Sequence, residues 1–171
     1  MTTIAIKGRI LAADTQLTDD NCKLLTNKIY HLPHNEVVAI AGNVDAEFWV
    51  LRWFEQGADP LKWKDKVASE IKKISFAAIF IDRLNRRWIF DDGPDKQPLD
   101  HPFYAIGTGA KIALAGMHMG LSAVESIQLA SEIDVYTNNI IDRYDISTGT
   151  LTKGKKPTPL AKAQRAKKQV S

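Results

Sequence analysis

Between Thr2 and Lys153 the hydrophobic period of this chain changes four times, from two to 3.6 and back, twice over. Thr2–Lys7 alternates, with Thr3, Ala5 and Lys7 set against Thr2, Ile4 and Ile6. Gly8-Arg9 then permits a two-residue turn into Ile10–Asp14, which predicts a β-hairpin at the first residues of the chain. Asn27–Leu32 and Glu36–Ala41 predict a second strand pair across a loop carrying Pro33 and Asn35, with Gly42 at its end. Over Asp45–Gln56 the period lengthens: Ala46, Trp49, Val50, Trp53 and Phe54 share one helical face. A more basic helix is expected over Trp63–Lys73.

Strands return at Ser75–Asp82 and Arg87–Asp91, and a loop over Asp92–Pro102 leads to a further strand at Phe103–Ile106. Gly107-Thr108-Gly109 opens a helix over Ala110–Met119. Ser122 with Glu125 fits a capping box for another helix, expected to run to about Tyr136. Ile140–Ile146 and Thr150–Lys153 close the pattern as a hairpin across Thr148-Gly149. A parallel sheet would show one helix per strand, and this chain does not. The order predicts an α+β, four-layer αββα sandwich, two antiparallel sheets between helix layers.

The 171 residues suit one domain with a real core and are too few for two ordinary ones. Residues 1–153 are expected to form it, with 154–171 as a basic tail that does not fold. From Lys153 onward there are seven cations and no acid, leaving sixteen cations against twenty acids in the other 152 residues. A nucleic-acid-binding fold would carry its positive charge on the body, so nucleic acid is not an expected partner. The tail reads as a solvated end, with an anchor for an anionic surface as the competing view. The chain opens Met1-Thr2-Thr3 directly into a strand pattern and has no apolar run of membrane-spanning length, so neither secretion nor a membrane partner is expected. One cysteine, Cys22, rules out an internal disulfide and fits a cytoplasmic setting.

Thr2 is the first residue with chemistry in reach. Its small side chain favours removal of Met1, which leaves a free α-amine beside the hydroxyl. A threonine hydroxyl is a weak nucleophile without a base, and an amine with an ordinary pKa near ~8 is one. Asp14 ends an apolar strand that returns antiparallel to the first, level with the chain start, and Lys28 opens another strand. An aspartate holding a lysine charged beside Thr2 would favour the alkoxide; an ordinary cross-strand ion pair is the other interpretation. Gly42 follows an apolar run, where its N–H could face an oxyanion or merely turn the chain. Gly107-Thr108-Gly109 lacks the Lys-Ser/Thr pair of a phosphate loop and reads first as a helix entry. The four histidines show no metal spacing, and the Trp49/Trp53/Phe54 stripe reads as core.

Six short segments occur in this order: Thr2-Thr3-Ile4-Ala5-Ile6, Leu11-Ala12-Ala13-Asp14, Asn27-Lys28-Ile29-Tyr30, Ala39-Ile40-Ala41-Gly42, Ala105-Ile106-Gly107-Thr108-Gly109 and Asp134-Val135-Tyr136-Thr137-Asn138. Together, over roughly residues 2–146, the chain resembles the proteasome β-type and HslV-like subunits of the N-terminal-nucleophile hydrolase superfamily. The resemblance implies the same αββα sandwich and a threonine-type endopeptidase. It implies Thr2 as nucleophile, Lys28 as the neighbouring cation, Asp14 as the partner of Lys28, and Gly42 as oxyanion donor. Thr108, Asp134 and Thr137 would then support the terminal amine and its proton path.

Stacked rings of identical subunits, unfolded-protein substrates and an ATP-dependent unfoldase are implied partners. No cofactor is required, and a monovalent or divalent cation near the Asp134–Thr137 loop is the one ion the resemblance leaves room for. The chain departs from the family in having Thr108 where serine is usual and Asn43 where a second glycine is common. Two alternatives stand beside the peptidase: an amidohydrolase of small amides, and a ring-forming structural protein without activity.

Overall fold

In the computed structural model, residues 2–19, 22–63 and 75–155 are described. The alternating segments become two five-stranded antiparallel sheets. The first has the order β10-β1-β2-β11-β12, built from Phe103–Gly107, Thr3–Lys7, Ile10–Asp14, Ile141–Asp145 and Thr150–Thr152. The second runs β5-β6-β7-β8-β9, from Ile29–Leu32, Glu36–Gly42, Phe76–Ile81, Arg87–Asp91 and Gln97–Pro98. Helix α1 is Val44–Glu55, α2 is a single turn at Pro60–Lys62, α3 is Ala110–His118 and α4 is Ala123–Ile133.

Period two decides which layer each residue meets. Ile4, Ile6, Leu11 and Ala13 of the first sheet pack against Val37, Ala39, Ala41, Ile79 and Ile81 of the second, forming the core between the sheets. Their neighbours point the other way. Ala5, Ala12 and Ala105 meet Ala113, Met117, Ala123 and Ile127 of α3 and α4, where small strand residues let the helices lie close. On the far side Val38, Ile40, Ala78 and Phe80 meet Val50, Trp53 and Phe54 of α1, together with Trp63 and Phe90. The result is helix, sheet, sheet, helix. Trp53 and Phe54 are core as the stripe predicts, with Trp49 partly buried against them, and the Trp53 indole donates to the Asp59 carbonyl at 2.8 Å.

Several boundaries differ from expectation. Lys28 lies one residue before β5 rather than opening it. The loop at Pro33–Asn35 is a 3-10 turn, and Gln97–Pro98 forms a short edge strand inside what reads as loop. The capping box at Ser122 and Glu125 is present in full, but α4 stops at Ile133, three residues early. Its stop is Asp134, whose backbone turns extended and whose carboxylate accepts from Tyr136 N at 3.2 Å. The helix expected over Trp63–Lys73 lies, beyond Trp63, outside the described residues.

A third, two-stranded sheet pairs β3 (Gln16–Asp19) with β4 (Cys22–Leu25). Every residue of β4 is exposed, so its pairing rests on backbone hydrogen bonds and leaves no apolar alternation to read. Among the described residues no helix is long and apolar enough to cross a membrane.

Candidate active site

The β1–β2 hairpin pairs Ile4 with Ala13, which brings Asp14 level with Thr3. Asp14 is fully buried, and all its neighbours are donors. Its Oδ1 accepts from Thr3 N and from Lys28 Nζ, both at 2.8 Å, while Oδ2 accepts from Gln16 N at 2.9 Å and Asn138 N at 3.4 Å. Because one oxygen takes both the Thr3 amide and the lysine, the Lys28 ammonium lies within two hydrogen-bond lengths of the Thr2–Thr3 peptide. Lys28 is itself only 2% exposed. Burial pushes its pKa below the ordinary lysine value, and the Asp14 carboxylate works against that shift.

The same peptide is held at its other polar atom, where Thr108 N donates to Thr2 O at 2.8 Å. Gly107 makes this approach possible. It has φ of +96°, and a Cβ there would fall 1.8 Å from Thr2 O, so no other residue fits. Thr2 is thereby fixed in space, 5% exposed, immediately before β1.

Thr3, Thr108, Asp134 and Thr137 form a second network. Asp134 Oδ2 accepts from Thr108 Oγ1 at 2.7 Å and Thr137 Oγ1 at 2.6 Å. With its proton spent on Asp134, Thr137 Oγ1 accepts the Thr3 hydroxyl at 2.6 Å, and Thr3 Oγ1 accepts from Gly109 N at 3.1 Å. Burial pushes the Asp134 carboxyl up, but the hydrogen bonds from Thr137 and Thr108 together outweigh it and hold it below the usual carboxylate range. The anion thus sets the direction of a proton chain leading from the β1 end to the loop after α4. Among the described residues no group of three His, Cys, Asp or Glu is placed to hold a metal.

Gly42 ends β6. Ile40 N donates to Lys28 O at 3.1 Å on the β5 side of the strand. Amides two residues apart point the same way, so the Gly42 N–H is directed toward that side, beyond the end where β5 begins. A Cβ on Gly42 would meet Ser75 O at 2.8 Å, which closes the position to any side chain. Thr2, Gly42 and Thr108 line one cleft of about 640 Å³, floored by Ala41, Phe76 and Ala77 with Thr18, Asn43, Ser75 and Asp91 also in its walls.

All seven sequence-predicted residues therefore meet around the start of β1. Sequence reasoning missed Thr3, which joins the two networks by donating its amide N–H to Asp14 and its hydroxyl to Thr137. The available signal was a wholly buried hydroxyl position on the strand face that continues as Ala5 and Lys7. Asn138 was in view only as part of a motif.

Two sheets stacked face to face, helices outside, and a buried Lys–Asp pair beside a leading threonine define the N-terminal-nucleophile hydrolase class. No family model matches the chain. It is 30% identical over 174 residues to the ATP-dependent protease subunit HslV of Campylobacter lari, a match covering 85% of this chain and 95% of that protein. The chain belongs to the HslV family of proteasome-like protease subunits. The fold matches the crystal structure of eukaryotic HslV from Trypanosoma brucei with a TM-score of 0.62 at 16% identity, over 83% of this chain and 96% of the other.

Proposed function

We propose that this chain is an N-terminal threonine peptidase, the proteolytic subunit of a self-compartmentalising ring complex that hydrolyses peptide bonds of unfolded proteins. The observation that carries the reading is the shared Asp14 oxygen, which ties a buried ammonium to the peptide of the first threonine. Once Met1 is removed, the Thr2 α-amine accepts the proton of its own hydroxyl, directly or through water. Oγ attacks the substrate carbonyl, the Gly42 N–H stabilises the oxyanion, and the Lys28 ammonium favours the alkoxide. The amine then gives its proton to the departing peptide nitrogen, leaving an ester on Thr2. Water, deprotonated by the same amine, hydrolyses that ester. Asp14 holds Lys28 charged, and Thr108, Asp134 and Thr137 orient the chain start.

Membership of the HslV family supports stacked rings of identical subunits, and the name of the Campylobacter lari relative supports an ATP-driven partner that feeds them. The exposed single Cys22 accords with a reducing, cytoplasmic setting. We take residues 1–153 as the peptidase domain and the basic stretch 154–171 as a separate tail.

The test is intact mass together with hydrolysis of fluorogenic peptides. The purified protein should lack Met1, gain one adduct from an electrophile that captures amino-terminal threonine, and lose both adduct and turnover in Thr2→Ala. Retention of Met1 in the assembled particle, or turnover unchanged in that variant, rejects the mechanism. Hydrolysis of small amides without peptides would point to the amidohydrolase instead.

A further inference from the structure

Glu47, in the first turns of α1, is a half-buried carboxyl that the mechanism above does not use. It faces Tyr30 on β5. The Tyr30 hydroxyl contacts two acceptors, Glu47 Oε1 and, at 2.6 Å, the carbonyl of Asn27. A phenol has one proton, so both contacts are full hydrogen bonds only when Glu47 carries a proton of its own and donates it to Tyr30 Oη. Asn27 is the residue whose carbonyl forms the peptide bond to Lys28. The carboxyl, the phenol and that carbonyl are therefore one hydrogen-bonded chain ending on the backbone that carries the site's cation. On its other side Asn27 is anchored by Lys153 Nζ, which donates to its Oδ1 at 2.7 Å.

We propose that Glu47 is a positioning residue for Lys28: through Tyr30 and Asn27 it fixes the lysine-bearing backbone, and its proton sets how strongly the ammonium is held. This rests on the reading of Lys28 as the active-site cation. Burial raises the Glu47 carboxyl above the usual carboxylate range, opposed by the hydrogen bond its ionised form accepts from Tyr30 and by the Lys28 charge. Burial likewise raises the Tyr30 phenol, so it stays a neutral donor wherever Glu47 titrates.

Among the described residues, charged groups face the pair from several elements. Lys28 is faced by Asp14 on β2, by Glu47 on α1 and by Asp134 after α4. Glu47 is faced by Tyr30, by Lys28 and by the amino-terminal charge of the chain. When Glu47 is ionised, Lys28 is held by carboxylates from two sides and gives up its proton late. When Glu47 is neutral, Asp14 acts with less support and the buried ammonium is lost at lower pH. A charged Glu47 favours the ammonium and an uncharged side chain there does not, so removing the charge should lower the lysine midpoint.

The test is titration of the Lys28 amine by NMR in the full chain, with its signal assigned from the Lys28→Arg spectrum. In E47Q, which keeps size and hydrogen bonding, the midpoint should fall by about one pH unit. E47D should restore part of it. Y30F keeps the carboxyl but cuts its tether, and should give a smaller fall. An unchanged or raised midpoint in whichever of E47Q and Y30F folds overturns the proposal.

Peptide hydrolysis across pH in the same preparations should show the alkaline limb moving down with the midpoint, and a midpoint that moves without the limb overturns the link to the site. Thr2→Ala separates the two readings. If it leaves hydrolysis intact, the peptidase reading fails while the lysine titration still decides the coupling.

Discussion

Two buried aspartates, Asp14 and Asp82, are held by similar numbers of donors and do different things. Asp82, at the end of β7, accepts from Leu84 N and Arg86 N at 2.9 Å each, from Arg86 Nε at 2.8 Å and from Trp88 Nε1 at 3.1 Å. Its cation is drawn from solvent, since the Arg86 side chain is 60% exposed. Burial pushes the Asp82 carboxyl up, but these hydrogen bonds together hold it below the usual range. The arrangement closes a hairpin turn and needs nothing more.

Asp14 is matched instead with a lysine that is 2% exposed, and both ions are shut in against the first peptide of the chain. Removing two charges from water is a cost that such a pair barely recovers. An ion pair of this kind is weak evidence for stability and better evidence for chemistry. What distinguishes the sites is the burial of the cation, not that of the anion.

The comparison can be broken most sharply at the chain start. Thr2→Ala should cut peptide turnover by about 10³-fold or more with little change in melting temperature, because only the nucleophile is lost. Asp14→Asn should both inactivate and destabilise, by about 3–5 kcal/mol in denaturant titration, since it removes the buried carboxylate that bonds Lys28 directly. Asp82→Asn should cost less, about 1–3 kcal/mol, and leave turnover of the folded protein unchanged; if it silences the enzyme, the division between the two aspartates is wrong.

The pH dependence separates them further. A carboxyl whose folded pKa is depressed stabilises above its unfolded value of about 3.9 and loses that contribution as pH falls through the folded value. The stability gap between parent and Asp82→Asn should therefore close below about pH 4. Lys28 acts at the other end: its burial-lowered pKa should place the alkaline limb of turnover below the ordinary lysine value of about 10.4. The smallest effect lies away from both sites. Ser122→Ala removes one half of the α4 capping box and should cost about 1 kcal/mol, with turnover intact.

Much of this was legible along the chain. The β1–β2 hairpin follows from the alternation of Thr2–Lys7, the Gly8-Arg9 turn and the short apolar run after it, and the position of Asp14 beside the chain start follows from that hairpin. The capping box announced α4. Its early end was not legible, because Asp134 continues a helical pattern and stops the helix through hydrogen bonds to Tyr136, Thr137 and Thr108 that sequence spacing does not show. The β3–β4 hairpin was missed for a different reason: β4 is exposed throughout, so neither face carries an apolar row.

What the sequence alone determined is the layer each residue belongs to, because alternation at period two sorts side chains between two faces before any partner is chosen. What only the tertiary structure decided is the meeting of Thr2, Lys28, Thr108 and Asp134. These come from four separate stretches of chain, joined through hydrogen bonds to Asp14, to Thr3 and to the Thr2 carbonyl. Periodicity records which side faces inward; it does not record which inward-facing groups share an oxygen. That is fixed by the register between distant strands and by the close approach that Gly107 allows.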